Sequence, residues 1–118
     1  MSMIKKTVNG IEYTFFNSSR SNRSGFVHET ELYRNGVFFG RNKIQYYNRT
    51  WECYTYQSVM CGLVRSLLEE CREEFQNEWK NAHDVKRLTK AKRAEMDEDF
   101  EVNTPESYVE LTKLYSML

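Results

Sequence analysis

Two histidines and three cysteines are the residues of this chain best suited to bind a metal ion or to act as nucleophiles. They are His28, His83, Cys53, Cys61 and Cys71. The cysteines are separated by steps that spread them around a helix, whereas a zinc ion needs about four converging ligands. No Cys-x-x-Cys pair, Gly-x-Ser-x-Gly elbow or phosphate-binding glycine-rich loop occurs. We therefore expect no metal, no cofactor and no enzymatic activity.

Carboxylates are the functional groups most concentrated in the second half of the chain. The first block consists of Glu69, Glu70, Glu73, Glu74 and Glu78. The second block consists of Glu95, Asp97, Glu98, Asp99 and Glu101. An array of carboxylates can pair with the lysines and arginines that otherwise hold a phosphate backbone, because both anions accept bonds from the same donors. A run of glutamates is also typical of a solvated helix surface, so both interpretations stay open.

Basic side chains are concentrated in the first half, although the chain as a whole has a net charge of zero. Residues 1–50 carry a net charge of +5 and residues 51–118 a net charge of −5. Arg20 and Arg23 lie in the polar stretch 17–25, which predicts an exposed and mobile loop. A basic sheet surface with aromatic rings can also bind nucleic acid. The candidates for that role are Arg20, Arg23, Arg41, Lys43 and Arg49.

The elements that position these groups start with an antiparallel sheet. The chain has 118 residues, of which 40% are apolar, and this length and composition predict one domain over residues 1–118. Asn-Gly pairs at 9–10 and 35–36 predict tight hairpins. A further turn is expected at residues 40–42, before a strand that places Ile44 and Tyr46 on one face. We expect a four-stranded antiparallel meander over residues 1–47, with a fifth, short strand at the start as an alternative.

The second half predicts helices. Apolar residues recur at steps of three and four from Tyr56 to Trp79, which predicts one long helix over residues 48–81. Residues 82–103 form a charged helix or a connector, and residues 104–118 a C-terminal helix with Thr104 as its N-cap. The predicted fold is α+β, with a four-stranded antiparallel meander packed against one long helix and followed by one or two C-terminal helices.

The segment 46–60 contains an Asn-Arg-Thr-Trp-Glu core at 48–52 and a Tyr-Gln pair at 56–57. It resembles a segment of small uncharacterised proteins of phages and mobile elements. The resemblance implies a compact host-takeover protein without an active site. Anti-CRISPR proteins, which bind and block a CRISPR effector nuclease, are the best-known group of that kind.

The expected function is therefore that of a non-enzymatic, phage-encoded inhibitor or modulator of a protein partner, such as an anti-CRISPR protein. Its contact surface is expected on the acidic block at residues 69–78 or on the loop with Arg20 and Arg23. Nucleic-acid binding through the basic first half is the alternative, and the pI of 6.7 disfavours it. A third alternative is self-association through an exposed Phe75 and Trp79.

Location and partners follow from what the sequence lacks. There is no apolar run of about 18–20 residues that would span a bilayer and no leader-like segment. The odd number of cysteines indicates reduced thiols. We therefore expect a cytoplasmic protein, in the host cell if it is phage-encoded, with no membrane partner.

Overall fold

The computed structural model describes residues 2–47 and 56–118, which form a four-stranded antiparallel sheet followed by helices. The strands lie in the sheet in sequence order as β1 (Ser2–Val8), β2 (Ile11–Asn22), β3 (Gly25–Arg34) and β4 (Val37–Tyr46). The helices are α1 (Tyr56–Ala82), α2 (Lys90–Val102) and α3 (Glu106–Ser116). This arrangement confirms the predicted α+β fold. No helix in the described ranges is long and apolar enough to cross a membrane.

Two Asn-Gly turns set the register of the sheet, as the sequence predicts. Asn9 and Asn35 have φ values of 52° and 48°, and the glycines that follow them have φ values of 82° and 80°. These left-handed conformations are those of the tight hairpin turn that matches the twist of the strands. Asn35 Oδ1 also accepts a hydrogen bond of 2.9 Å from the backbone N–H of Glu12, which ties the second turn to β2.

The predicted mobile loop at residues 17–25 is wrong, because β2 continues to Asn22 and β3 begins at Gly25. Asn17 is fully buried, and its amide accepts a hydrogen bond from the Thr30 hydroxyl and donates to the Met60 sulfur at 3.6 Å. A buried amide is tolerated here because it has partners. The composition of this polar segment predicts a loop, but it forms a strand because its backbone pairs with β3.

The turn predicted at residues 40–42 is also wrong. β4 pairs with β3 as far as Tyr46, and the register places Leu32 opposite Gly40 but Tyr33 opposite Phe38. Phe39 is therefore the extra residue of a β-bulge. A Cβ atom on Gly40 would lie 3.4 Å from side-chain atoms of Leu63 and Leu67, an ordinary contact distance, so this part of β4 lies directly against α1. Within residues 2–47 the sheet has four strands, so the alternative with a fifth strand is not formed there.

The core lies between one face of the sheet and two of the helices. α1 packs on β3 and β4, whereas α3 runs antiparallel to α1 and packs on β1 and β2. The strands contribute Val8, Tyr13, Phe15 and Leu32 to the core. The helices contribute Met60, Leu63, Val64, Leu111 and Leu114.

The C-terminal part of α1 packs against α2 instead of the sheet. Phe75 meets Phe100 with ring centroids 5.0 Å apart, and Trp79 Nε1 donates to Asp99 at 2.7 Å. Trp79 is only 5% exposed and Phe75 is half-buried, so the expected exposure of Trp79 as a contact for self-association is wrong. The segment 82–103 consists of a connection and the helix α2, whose N-cap Thr89 accepts from the N–H of Lys92 at 3.2 Å.

Thr104 does not cap α3, in contrast to the prediction. Its hydroxyl donates to the carbonyl of Phe100 at 2.7 Å, so this side chain closes the end of α2. Pro105 occupies the capping position, and α3 begins at Glu106. The predicted start of the long helix at residue 48 lies outside the described residues.

Candidate functional site

The first glutamate block forms an exposed surface on α1, here called the acidic helix surface. It consists of Glu69, Glu70, Glu73, Glu74 and Glu78, all of which are exposed. At about 100° of rotation per residue, these positions cover about half the circumference of the helix. None of the five carboxylates forms an ion pair with another residue that the structure describes.

Two shallow depressions divide this surface. Glu69 and Glu73 border one of about 310 Å³ between α1 and α2, together with Arg93. Glu74 and Glu78 border another of about 140 Å³ between α1 and α3. The sequence block therefore supplies carboxylates to two sides of the helix, and the predicted partner-binding residues form a curved surface rather than one flat patch.

The second acidic block is largely engaged within the molecule. Asp97 lies 3.4 Å from Arg72, and Asp99 accepts the indole hydrogen bond of Trp79. Glu95 lies 3.3 Å from Lys92 in the same helix. Three of the five carboxylates in this block thus have partners on α1 or α2, which leaves the acidic helix surface as the main exposed negative region of the described helices.

Arg20 and Arg23 lie near the tip of the β2–β3 hairpin rather than in the predicted nine-residue loop. Arg20 projects from β2 and lies 3.8 Å from Glu29, with 63% of its side chain exposed. Arg23 is exposed in the two-residue turn. Arg49, the fifth residue of the predicted nucleic-acid surface, lies outside the described residues.

Arg41 and Lys43 lie on β4, on the face of the sheet that the helices leave uncovered. The register places Arg41 opposite Glu31 and Lys43 opposite Glu29, and directly opposite residues point to the same face. The sheet therefore alternates these cations with carboxylates. The four predicted basic residues that the structure describes do not form an uninterrupted basic patch.

The face of the sheet that the helices leave uncovered is here called the open sheet face. It carries an exposed apolar band that was not predicted from the sequence. The band runs through Met3, Phe16, Tyr33 and Phe38, one from each strand. Phe16 and Tyr33 meet edge to face at 5.3 Å, and Tyr33 and Phe38 at 5.7 Å. Met3 and Phe38 are each 54% exposed. The Phe15-Phe16 and Phe38-Phe39 doublets are a signal for it, because adjacent strand residues normally point to opposite faces.

A concave region of about 660 Å³ lies along this band. Phe16 and Tyr33 line it together with Met3, Lys5 and Glu31. The Tyr33 hydroxyl donates to Glu31 at 3.0 Å, so its polar end is already engaged. The concavity combines ring surface with charge of both signs.

One partly buried carboxylate clamps α3 to the sheet. Glu110 accepts hydrogen bonds from the Tyr13 hydroxyl and from Arg34, whose Nε lies 2.9 Å from Oε1. The Arg34 guanidinium lowers the pKa of Glu110. Burial, reinforced by Glu110, raises the pKa of Tyr13 to about 12. The carboxylate is occupied by two donors, so this cluster acts as a structural clamp.

The histidines are engaged by aromatic rings. His28 lies between Tyr46 and Tyr56, with ring centroids 5.3 Å away in each case, and burial lowers the pKa of His28. His83 stacks on Trp79 at 4.1 Å.

The cysteines show no metal-binding arrangement within the described ranges. Cys61 and Cys71 are free and half-buried, and Cys53 lies outside those ranges. No group of three or more His, Cys, Asp or Glu side chains in residues 2–47 and 56–118 could hold a metal ion.

Three surfaces are thus exposed to a partner: the acidic helix surface, the hairpin tip with Arg20 and Arg23, and the open sheet face. Each can bind a macromolecule through charge or apolar contact. Comparison of the chain with protein-family models, with curated proteins and with solved structures gives no significant match.

Proposed function

We propose that this protein is a non-enzymatic binding protein that inhibits or modulates a protein partner through its acidic helix surface. The observation that supports this most is the set of five exposed carboxylates without an ion pair to any described residue. They lie within about 14 Å of helix. Like charges three or four positions apart destabilise a helix by about 0.2–0.5 kcal/mol per pair. A cationic partner surface would offset this repulsion between the glutamates and would itself attract them.

The chemistry of the surface favours a partner that handles nucleic acid. Cationic channels that hold a phosphate backbone present lysine and arginine donors, and carboxylates accept the same bonds. The resemblance of segment 46–60 to phage and mobile-element proteins points to the same class of partner. The proposed protein is therefore a phage-encoded inhibitor in the host cytoplasm, of the anti-CRISPR kind, that competes with nucleic acid for a CRISPR effector nuclease.

Reversing part of the acidic helix surface tests this function. In the triple variant Glu70→Lys, Glu73→Lys and Glu74→Lys, affinity for the effector should fall about 100-fold or more, because charge attraction becomes repulsion. Binding is measured by titration calorimetry against the effector recovered on the tagged wild-type protein from nuclease-treated lysate. The same titration in the presence of the effector's nucleic acid should show competition.

A matched control reverses three exposed glutamates elsewhere. Glu98, Glu101 and Glu106 are exposed on α2 and α3, and their replacement by lysine changes the net charge by the same amount. The control should bind the effector within a few-fold of wild type. Equal affinity of the wild type and the Glu70/Glu73/Glu74 variant would remove the acidic helix surface from the function.

Direct nucleic-acid binding is the alternative function, and one observation favours it. The exposed ring of Phe38 lies on the same face as Arg41 and Lys43, and rings beside cations can stack bases. Anisotropy with a labelled single-stranded oligonucleotide tests it. If this alternative holds, binding should weaken steeply with salt and be lost when Arg20, Arg23 and Arg41 are replaced by alanine.

A further inference from the structure

We infer that the open sheet face packs against the same face of a second copy of this chain. The inference concerns a different surface from the acidic helix surface and does not depend on the proposed function. It would make the protein a two-fold dimer whose two acidic helix surfaces point away from the interface.

The apolar band carries the first part of the inference. In a sheet with helices on one face only, the other face is usually solvated and polar. Here all three described helices lie away from the open face, yet Met3 and Phe38 are each 54% exposed on it. Rings in edge-to-face contact connect β2, β3 and β4 toward the end of the face that carries the β3–β4 turn. An apolar stripe framed by polar residues is the anatomy of a protein interface.

The charged residues of the open sheet face indicate which kind of partner can bind it. Its cations are Lys5, Arg20, Arg41 and Lys43. Its carboxylates are Glu12, Glu29 and Glu31. Each carboxylate has a cation or a hydroxyl nearby, as in the 3.9 Å Lys5–Glu12 and 3.8 Å Arg20–Glu29 pairs.

This mixture of signs disfavours strongly charged partners. A phosphate backbone would have to cross three carboxylates, and a uniformly basic or acidic protein surface would meet many charges of its own sign. A second copy of the face offers carboxylates for its cations and cations for its carboxylates, so opposite charges can pair across a two-fold axis.

The size of the face is sufficient for a dimer. Four strands spaced about 4.8 Å apart and about ten residues long present about 600 Å². Two such faces bury about 1,200 Å², which lies at the lower end of the range for specific interfaces. Interfaces of this size are often transient, so we expect the dimer to dissociate on dilution.

Sedimentation equilibrium of the full chain, at concentrations from about 1 μM to about 200 μM, tests the inference. The mass should rise with concentration from 14.2 kDa toward twice that value. The variants Met3→Glu and Phe38→Glu should each shift the midpoint at least tenfold to higher concentration, because a carboxylate would be buried in the apolar band.

The exposed Val102 on α2 provides the matched control, since it is 76% exposed and far from the sheet. Val102→Glu should leave the midpoint unchanged, and circular dichroism should show that all variants are folded. A wild-type mass that stays monomeric at the highest concentration would overturn the inference. So would a midpoint that moves with Val102→Glu but not with Phe38→Glu. A monomer that loses its protein partner on Phe38→Glu would overturn it as well and assign the face to that partner.

Discussion

Among single residues, Glu110 links three elements by charge and hydrogen bonding. Its carboxylate receives donors from β2 and β3 while the residue itself belongs to α3. The Arg34 hydrogen bond lowers the pKa of Glu110 from its ordinary value of 4.5. The ionised form therefore stabilises the folded state above that value, and this contribution is lost as pH falls through the lowered folded pKa.

Replacing Glu110 by glutamine should reduce stability and flatten its acid dependence. At pH 7 the free energy of unfolding should fall by about 1–3 kcal/mol, because the acceptor of the Arg34 hydrogen bond loses its negative charge. Urea unfolding at pH 7 and pH 3 measures both effects. The wild type should lose more stability between the two pH values than Glu110→Gln does. Exposed Glu98→Gln serves as the control and should retain the wild-type dependence on pH.

The cluster of Tyr13, Arg34 and Glu110 could not be predicted from the sequence. Tyr13, Arg34 and Glu110 are distant in the chain and meet only when the β2–β3 register and the position of α3 are set. The exposure of the five glutamates could be predicted, because charged side chains are seldom buried without a partner. The burial of Asn17 could not, since it depends on Thr30 across the strand pair.

Among the elements, the tip of the β2–β3 hairpin has the strictest backbone requirement. Gly25 has a φ of 144°, and a Cβ atom there would lie 2.0 Å from the carbonyl oxygen of Tyr46. Neither backbone can move away easily, because β3 and β4 are paired at this point. The glycine thus allows three strands to meet at one end of the sheet.

Gly25→Ala should therefore cost more stability than the same change in the first turn. We expect a loss of more than about 3 kcal/mol, since steric overlap with the β4 backbone adds to backbone strain. Gly10→Ala is the control, because Gly10 has a φ of 82° but a Cβ atom there would meet nothing within 4 Å. It should cost about 1–2 kcal/mol from the left-handed conformation alone. Equal losses in urea unfolding would contradict the steric argument.

The elements that local chemistry specifies are the ones that can be predicted from the sequence. Asn-Gly turns and the helical periodicity of α1 are properties of a few neighbouring residues, and both occur in the structure. The strand at residues 17–22 cannot be predicted in this way, because its stability comes from pairing with β3. Gly40 suggests a turn, whereas it is a paired residue of β4 that faces α1.

As a whole, the molecule is more extended than a compact domain of its size. Its radius of gyration is 17.5 Å, compared with about 13.5 Å expected for a compact chain of this length. Its accessible surface is 8266 Å², compared with about 6,800 Å² for a compact monomer of this mass. Packing of α1 against α2 rather than the sheet accounts for part of this difference. The additional surface is available to a partner.

This extension predicts uneven local stability. α2 buries only Met96 and Phe100, and it is held to α1 largely through Phe75, Trp79 and Arg72. Its amide hydrogens should exchange with solvent faster than those of β2 and β3, because a small buried area gives a low cost of local opening. Hydrogen exchange read by mass spectrometry measures this.

Trp79→Ala should accelerate exchange in α2 without changing exchange in β2 and β3. Val102→Ala, at an exposed position of the same helix, should change neither. Acceleration of exchange throughout the sheet by Trp79→Ala would show that α2 is part of the same cooperative unit.

The location of the acidic helix surface could not be predicted at this scale. The sequence places five glutamates on one helix, but their position depends on where α1 leaves the sheet. That point is set by the packing of Leu63 and Leu67 on Gly40 and of α3 beside α1.

The order of the elements also has a consequence for synthesis on the ribosome. Every strand pair joins neighbours in the chain, so the meander can close as soon as β4 has emerged. Its apolar face stays uncovered until α1 has been synthesised, and the part near Tyr13 stays uncovered until α3 has been synthesised. At ordinary translation rates, the roughly 70 residues after β4 take about 4–14 s to add. During that interval the nascent sheet exposes both faces, which makes it a candidate for protection by chaperones.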